Sequence, residues 1–428
     1  MCYSFPFCKP LFSATCTKWR NWGGFWLLGM CNNFAYVVML SAAHDILKKQ
    51  ETHNSTASVT LDNGLQTGNS SNTSHYDCNP TSTAAVLLAD ILPTLLIKMS
   101  APFVIHKVPY GYRVLLCGLT AAASFLVVSF SSALWMSILG VILASISSGL
   151  GELSFLALTV YYSRDVVGGW GSGTGGAGVS GALLYSGLTQ LGLTPRTTLL
   201  VMLIVPCAMI LSYFFLLVAP SSLPQWTTER SQSTGLCPEE TERLMDSAVE
   251  DDDQDRSTQS IVTGPLSVTE KLHVMKGLLK FVLPLGLVYF AEYFINQGLM
   301  ELLYFPNSFL SHAEQYRWYQ TLYQVGVFAS RSSLCCFKIR RLWVLNVVFL
   351  MFAVWYQFLP SAWIVFVIIL YEGLLGGFAY VNTFYFISKE TEDRHREFAM
   401  AMASVGDTLG ICLSTVLSFP VHKYFCSL

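Results

Sequence analysis

The stretch that decides the fold is AWIVFVIILYEGLLGGFAYVNTFYF at residues 362–386, which holds one charged side chain, Glu372. A helix needs about 20 apolar residues to cross the hydrocarbon of a bilayer, and this stretch is long enough. The whole chain has the same character: its 428 residues are 53% hydrophobic and 12% charged, with a mean hydropathy of +0.48. Soluble domains carry about 25% charged residues. We therefore predict an all-α polytopic membrane protein.

Ten further stretches have a similar composition, so we predict about 11 transmembrane helices. The predicted spans are 22–44, 82–104, 112–131, 134–160, 175–192, 197–219, 278–303, 316–331, 342–358, 362–386 and 397–420. The eighth departs most from the pattern because it is short and begins with the polar run YRWYQ at 316–320.

The polar loop at 48–81 orients the chain. It holds three Asn-x-Ser/Thr sequons, which begin at Asn54, Asn69 and Asn72. Glycans are added only in the secretory lumen, so predicted glycosylation makes this loop lumenal. Lysine and arginine favour cytosolic loops, and the N-terminal segment holds Lys9, Lys18 and Arg20. Both arguments predict a cytosolic N-terminus.

The acidic segment 220–272 divides the membrane part in two. It is too polar to pack and is typical of a disordered linker. Six predicted spans precede it and about five follow, as in the two halves of major-facilitator-type transporters. The predicted organisation is a cytosolic N-terminus at 1–21, a six-helix half at 22–219, a cytosolic linker at 220–272 and a C-terminal helical half at 273–428.

Two short motifs concern sorting and lipid attachment. Within the linker, Glu240, Leu244 and Met245 follow an acid-plus-dileucine pattern that sorting adaptors of the endolysosomal pathway read; the alternative is an ordinary part of the acidic linker. Cys335 and Cys336 adjoin basic residues at a predicted helix end, where palmitoylation is one option.

Charged groups inside predicted spans are the candidate site, because charges in hydrocarbon usually face a bundle interior or water. By analogy with facilitators, whose first, fourth, seventh and tenth helices line a cavity, we predict a substrate or proton cavity. Its predicted residues are Asn32, Asn33, Glu152, Glu292, Glu372, Asp90, Asp407 and Arg331. The alternative is that the acids only hold helices together. We expect Lys98 to extend toward the cytosolic end of its helix.

Several other classes of function are disfavoured. The net charge of −2 suggests no nucleic-acid partner. No Cys/His ligand spacing, histidine box or G-x-S-x-G motif occurs, so neither an enzyme nor a metal or cofactor site is predicted. The glycine-rich stretch at 171–176 matches a dinucleotide motif but lies between membrane spans, where close helix packing explains it better.

Several strings resemble the battenin family of lysosomal membrane proteins. They are FWLLG (25–29), NNF (32–34), SAAHDIL (41–47), LLADILPT (87–94), YFAEYFINQG (289–298), VFASRSS (327–333) and LYEGLLGG (370–377). The resemblance covers about residues 22–220 and 270–424. It implies a facilitator-like fold, a place in lysosomal and late endosomal membranes, and roles in lysosomal pH homeostasis, autophagy and vesicle traffic. It also implies handling of small solutes, with glycerophosphodiesters and basic amino acids as the proposed classes.

Two hypotheses follow. The first is a transporter-like protein that exports a small solute by alternating access, with protons as the candidate coupling ion. A phosphodiester would need a cation, and Arg331 or Arg317 could supply it. The second is a membrane scaffold without transport, which recruits trafficking machinery through the acidic linker.

Overall fold

The computed structural model describes residues 8–59, 83–226, 266–299, 305, 312–336, 338 and 362–425. Within these ranges the backbone forms helices and short connections and no strand. The prediction of an all-α protein is therefore confirmed.

The structure describes seven α-helices before the acidic segment. They are α1 (Cys8–Val59), α2 (Thr83–Val104), α3 (Tyr110–Ser129), α4 (Leu134–Leu158), α5 (Asp165–Gln190), α6 (Pro195–Val201) and α7 (Ile204–Leu211). A π-helical stretch, Ser212–Leu216, continues α7. Pro195 at the start of α6 and Thr194, which caps it, explain where that helix begins.

The described helices after the acidic segment are five. They are α8 (Val268–Tyr293), α9 (His312–Ser332), α10 (Ala362–Glu390), α11 (Asp393–Ala403) and α12 (Val405–Phe425). A π-helical stretch, Phe294–Leu299, continues α8. Helices α11 and α12 follow each other with a break at Ser404, so they cover the eleventh predicted span together.

Ten of the eleven predicted spans coincide with described helices, and the ninth, 342–358, lies outside the described residues. Among the described residues, seven segments are long and apolar enough to cross a membrane. They are Leu87–Lys107, Tyr110–Ser129, Trp135–Tyr161, Pro195–Leu216, Val268–Asn296, Trp363–Glu390 and Asp393–Val421.

Several helix bounds differ from the prediction. Helix α1 extends to Val59, and the residues that directly follow its apolar part, KKQE at 48–51, are good helix formers; the predicted loop 48–81 therefore begins as helix, and Asn54 stands on it. Helix α5 begins at Asp165, well before position 175. Helix α8 begins inside the predicted linker, because Ser267 and Glu270 form a reciprocal capping box at its start.

Eight of the helices form a closed circuit around the centre of the bundle. In contact order they are α1, α5, α9, α10, α8, α12, α2 and α4, with α4 returning to α1. Helix α3 packs outside this circuit against α4, α6 and α7. The circuit uses helices from both sides of the acidic segment, so residues distant in sequence meet at its centre.

Glycines explain how closely α1 and α5 approach. A Cβ atom built on Gly29 would lie 2.5 Å from the Trp170 backbone oxygen, and one built on Gly173 would collide with the backbone of Trp26. Small residues let helix backbones approach in this way. Helix packing is thus the observed role of the glycine-rich stretch at 171–176, which lies inside α5.

Candidate functional site

A polar cavity of about 90 Å³, counted as the space open to the centre of a water molecule, lies inside the circuit of helices. Five tyrosines and both signs of charge line it, which is unusual for a membrane interior. Its wall is formed by Asn33, Tyr36, Val37, Ile91, Thr94, Lys98, Ser148, Glu152, Thr174, Gly178, Tyr289, Tyr293, Tyr323, Gln324, Val327, Arg331, Tyr380, Asp407, Thr408 and Ile411.

A buried ion cluster forms one part of the wall. Lys98 Nζ of α2 lies 2.6 Å from Glu152 Oε2 of α4 and 3.7 Å from Asp407 Oδ1 of α12. It also donates to Thr408 Oγ1 at 2.6 Å. Its side chain is only 1% exposed, so Lys98 does not extend out of the bundle as expected. The two buried carboxylates hold it inside because a buried charge is stable only when paired and hydrogen-bonded.

Arg331 of α9 forms a second charge centre of the wall, and its described hydrogen-bond partners are neutral. The guanidinium donates to Thr174 Oγ1 at 2.7 Å and to Tyr289 Oη at 2.8 Å. Its Cζ atom lies 4.2 Å from the ring centroid of Tyr380. Among the described residues, no carboxylate pairs with Arg331 and its Nε has no hydrogen-bond partner. Its positive charge therefore faces the cavity without a carboxylate in direct contact, and Glu292 and Asp407 act on it only at longer range.

Tyr380 of α10 connects the two charge centres. Its hydroxyl donates to Glu152 Oε1 at 2.7 Å and accepts from Trp170 Nε1 at 3.3 Å. Since its ring also covers the Arg331 guanidinium, a single side chain contacts both the ion cluster and the arginine.

The structure brings half of the predicted residues into the cavity wall: Asn33, Glu152, Asp407 and Arg331. The other four are buried outside the wall. Asn32 donates from Nδ2 to the Ser148 oxygen at 3.1 Å and so joins α1 to α4. Asp90 is fully buried, and its carboxylate has no hydrogen-bond partner among the described residues. In this arrangement, Asn32 and Asp90 therefore do not contact a solute in the cavity directly.

Glu292 and Glu372 lie between α8 and α10, away from the cavity wall. The Glu292 carboxylate lies directly against Gly376, where an added Cβ would collide with it. Glu372 stands one turn before Gly376 on the same helix. Within the described part of the chain, the Glu372 carboxylate has no hydrogen-bond partner, whereas the Glu292 carboxylate lies near the Tyr323 hydroxyl of the cavity wall. The analogy with facilitators predicts which helix lines a cavity but not which face of that helix, and these two acids lie on faces outside the wall.

Residues that the sequence did not indicate complete the site. Lys98 could have been recognised from the sequence, because it is a cation inside a predicted span and neighbouring predicted spans hold acids without a cation. Thr174, Tyr289 and Tyr380 had none, because nothing in the sequence separates them from the other hydroxyl and aromatic residues of the spans.

The remaining predicted sites are less completely described. Asn69, Asn72 and the sorting motif of Glu240, Leu244 and Met245 lie outside the described residues. Cys336 is exposed at the end of the turn after α9. The described residues contain no group of His, Cys, Asp and Glu side chains that could hold a metal ion.

Two solved structures share the fold. The human organic anion transporter MFSD10 (TETRAN) aligns over 96% of this chain and 94% of its own, with a TM-score of 0.61 and 15% identity. A bacterial homologue of the human lysosomal transporter Spinster, in an inward-facing and unoccupied conformation, aligns over 93% of this chain and 81% of its own, with a TM-score of 0.52 and 14% identity. At this identity the likeness concerns the fold alone, which is that of major-facilitator-type transporters.

Sequence relatives specify the family. Battenin of Canis lupus familiaris is 55% identical over 416 residues, which cover 96% of this chain and 92% of the relative. Protein BTN1 of Yarrowia lipolytica is 36% identical over 422 residues, or 95% of this chain and 94% of the relative. The family model described as CLN3 protein matches residues 23–428. The chain therefore belongs to the CLN3 protein family and is a multi-pass membrane protein, and its fold resembles that of the two transporters.

Proposed function

We propose that this protein exports a small anionic solute through the central cavity by alternating access, and that the solute is a glycerophosphodiester. The observation that carries the proposal is Arg331, a cavity-lining cation whose described partners are all neutral. A guanidinium suits a phosphodiester because its fork of donors matches two phosphate oxygens.

The distribution of charge favours this class over basic amino acids. A basic amino acid would need a carboxylate in the wall for its side chain. Both carboxylates of the wall, Glu152 and Asp407, already contact Lys98. Tyrosine hydroxyls, such as those of Tyr36 and Tyr293, which lie 3.5 Å apart, can bind the hydroxyl groups of a glycerol moiety. The fold relative MFSD10 is itself described as an organic anion transporter, which agrees with the proposal.

Protons are the coupling ion in this proposal. Glu292 and Glu372 are buried in the membrane part, and no described cation forms a direct ion pair with either of them; Arg331 acts on Glu292 at longer range. Ionisable groups in such positions mark proton relays in pumps and transporters. Because both lie outside the cavity wall, we assign them to proton binding rather than to solute contact.

The cellular setting in this proposal is the lysosomal and late endosomal membrane, with the N-terminus in the cytosol. The battenin resemblance and the sequons at Asn54, Asn69 and Asn72 support it. Solute export there would support lysosomal pH homeostasis, autophagy and vesicle traffic, and adaptors would read the motif at 240–245. In this proposal, the acidic segment 227–265 directs the protein to its membrane, and the solute crosses through the cavity.

Reconstitution of the full-length protein into liposomes tests the proposal. Uptake of labelled glycerophosphocholine and of labelled lysine is measured for wild type, for Arg331→Gln and for a control, Arg196→Gln. Arg196 is exposed, lies over the Phe130 ring and is not part of the cavity wall. Losing hydrogen bonds to a charged group costs about 1.5–3 kcal/mol, so Arg331→Gln should raise the phosphodiester KM about tenfold or more, whereas Arg196→Gln should not change it.

Two results would contradict the proposal. One is wild-type uptake of lysine but not of glycerophosphocholine. The other is phosphodiester uptake that Arg331→Gln leaves unchanged. The proton assignment is checked in the same vesicles, where Glu292→Gln should remove the dependence of uptake on a pH gradient.

A further inference from the structure

We propose that Tyr380 is a positioning residue that couples solute binding at Arg331 to a lock between the two parts of the bundle, the Lys98–Glu152–Asp407 cluster. The inference rests on the proposed function in taking Arg331 as the solute contact. It goes further by assigning the step that links binding to opening.

The first support is where the cluster lies in the chain. Lys98 and Glu152 belong to α2 and α4, before the acidic segment, and Asp407 and Thr408 belong to α12, after it. In the described structure, Lys98 is thus a buried ionic link between the two parts of the chain. The parts cannot separate at this point without breaking its contacts with α12.

The second support is that further contacts hold the two parts of the chain together at the same end of the bundle, which we call the closed end. Lys98 and Glu152 lie near the C-terminal ends of their helices, and Asp407 lies near the start of α12. Beside them, Glu397 of α11 accepts hydrogen bonds from Tyr110 at 2.7 Å and from Tyr161 at 3.2 Å. The Phe103 and Phe398 rings also meet edge to face, 5.8 Å apart. The ion cluster is the part of this end that lines the cavity.

The third support is the bonding of Tyr380. Its hydroxyl donates to Glu152, the acid that lies closest to Lys98, and accepts from Trp170 of α5. Its ring is held against the Arg331 guanidinium. A displacement of Arg331 toward a bound anion therefore changes its contact with this ring. A displacement of the ring in turn changes the hydrogen bond to Glu152.

The order of events follows from these contacts. A bound anion compensates the guanidinium charge and weakens its attraction to the Tyr380 ring. Tyr380 then withdraws its hydroxyl from Glu152, which becomes free to reorient away from Lys98. The link from α4 through Lys98 to α12 weakens, and the population shifts toward a state with this end open, since a ligand shifts an equilibrium by its differential affinity for the two states.

The test separates binding from turnover. Tyr380→Phe keeps the ring over Arg331 but removes the hydroxyl; Tyr385→Phe removes a hydroxyl from the same helix outside the cavity wall. The assay uses proteoliposomes with glycerophosphocholine as the probe. Tyr380→Phe should change the Kd for this probe by less than about twofold and the maximal rate of its uptake by about fivefold or more. Tyr385→Phe should change neither. A maximal rate for Tyr380→Phe equal to that of wild type would overturn the proposal.

A double-mutant comparison identifies the route of the effect. If the hydroxyl acts through Glu152, then adding Tyr380→Phe to Glu152→Gln should have much less effect than it has alone, because residues that act as one unit are non-additive. Effects on the maximal rate that multiply independently would show that Tyr380 acts by another route and would overturn the assignment.

A conformational measurement keeps the inference separate from the choice of solute. Nitroxide labels on encoded non-natural residues at the exposed positions Arg164 and Glu392 would report the distance between the two parts at the closed end. Without any probe, Tyr380→Phe and Glu152→Gln should each broaden this distance toward longer values, and Tyr385→Phe should not. If wild type transports neither probe, the proposed function fails while this result still tests the lock. Unchanged distances in both variants would refute the lock.

Discussion

The close approach of α1 and α5 makes a sharp prediction for the substitution Gly29→Ala. The added methyl group would lie 2.5 Å from the backbone oxygen of Trp170 and 3.1 Å from the backbone nitrogen of Thr174. Neither atom can move as a flexible side chain would, so α1 and α5 must separate until the contacts reach 3.4 Å or more. This movement also displaces Thr174, a hydrogen-bond partner of Arg331.

The magnitude follows from comparing two glycines of the same helix. Inserting a methyl group into a packed interior costs about 1–3 kcal/mol. Replacing glycine by alanine inside a helix gains up to about 1 kcal/mol from backbone propensity. Gly23 of α1 has open space where its Cβ would lie, so Gly23→Ala should show the gain alone. The gain is common to both variants, and their stabilities should therefore differ by about 1–3 kcal/mol, with Gly29→Ala the less stable.

The assay is thermal unfolding of the full-length protein in detergent, followed by intrinsic tryptophan fluorescence. We expect Gly29→Ala to melt below wild type and Gly23→Ala to melt at or slightly above it. Equal melting temperatures for the two alanine variants would refute the inference that backbone contact at Gly29 limits how closely α1 and α5 approach.

Two further predictions concern the ion cluster and the sequons. Lys98→Met should destabilise the protein by about 3–5 kcal/mol in the same melting assay, because it leaves two buried acids without their cation. The control Lys280→Met breaks an ion pair whose lysine is 62% exposed, so it should cost less than about 1 kcal/mol. Equal effects of the two substitutions would contradict burial of the cluster. Removal of N-glycans from protein expressed in animal cells should increase its mobility on a denaturing gel. Replacing the three sequon asparagines with glutamine should abolish that change. An identical pattern for the wild type and the triple variant would contradict a lumenal segment at 54–74.

The helical class and the position of most spans could be read from composition and length. Bilayer hydrocarbon imposes both, because every backbone polar group in it must be satisfied within a helix. The segment 362–386 illustrates this, since α10 covers it from Ala362 to Glu390. Helix ends were harder to place: a good capping residue or a polar run of helix formers moves a boundary without changing hydropathy, as at Ser267 and at the end of α1.

The sequence by itself determined that this chain is a helical membrane protein with acids and an arginine at membrane depth, because charge in an apolar stretch is visible one residue at a time. Only the tertiary structure decided which of these groups meet. Lys98 contacts Asp407 across more than three hundred residues of chain, while Glu292 turns away from the cavity toward Gly376. The physical reason is that pairing depends on the rotation of each helix about its own axis. That rotation is set by close packing between helices, at contacts such as Gly29 against Trp170, and the hydropathy of a single helix does not encode it.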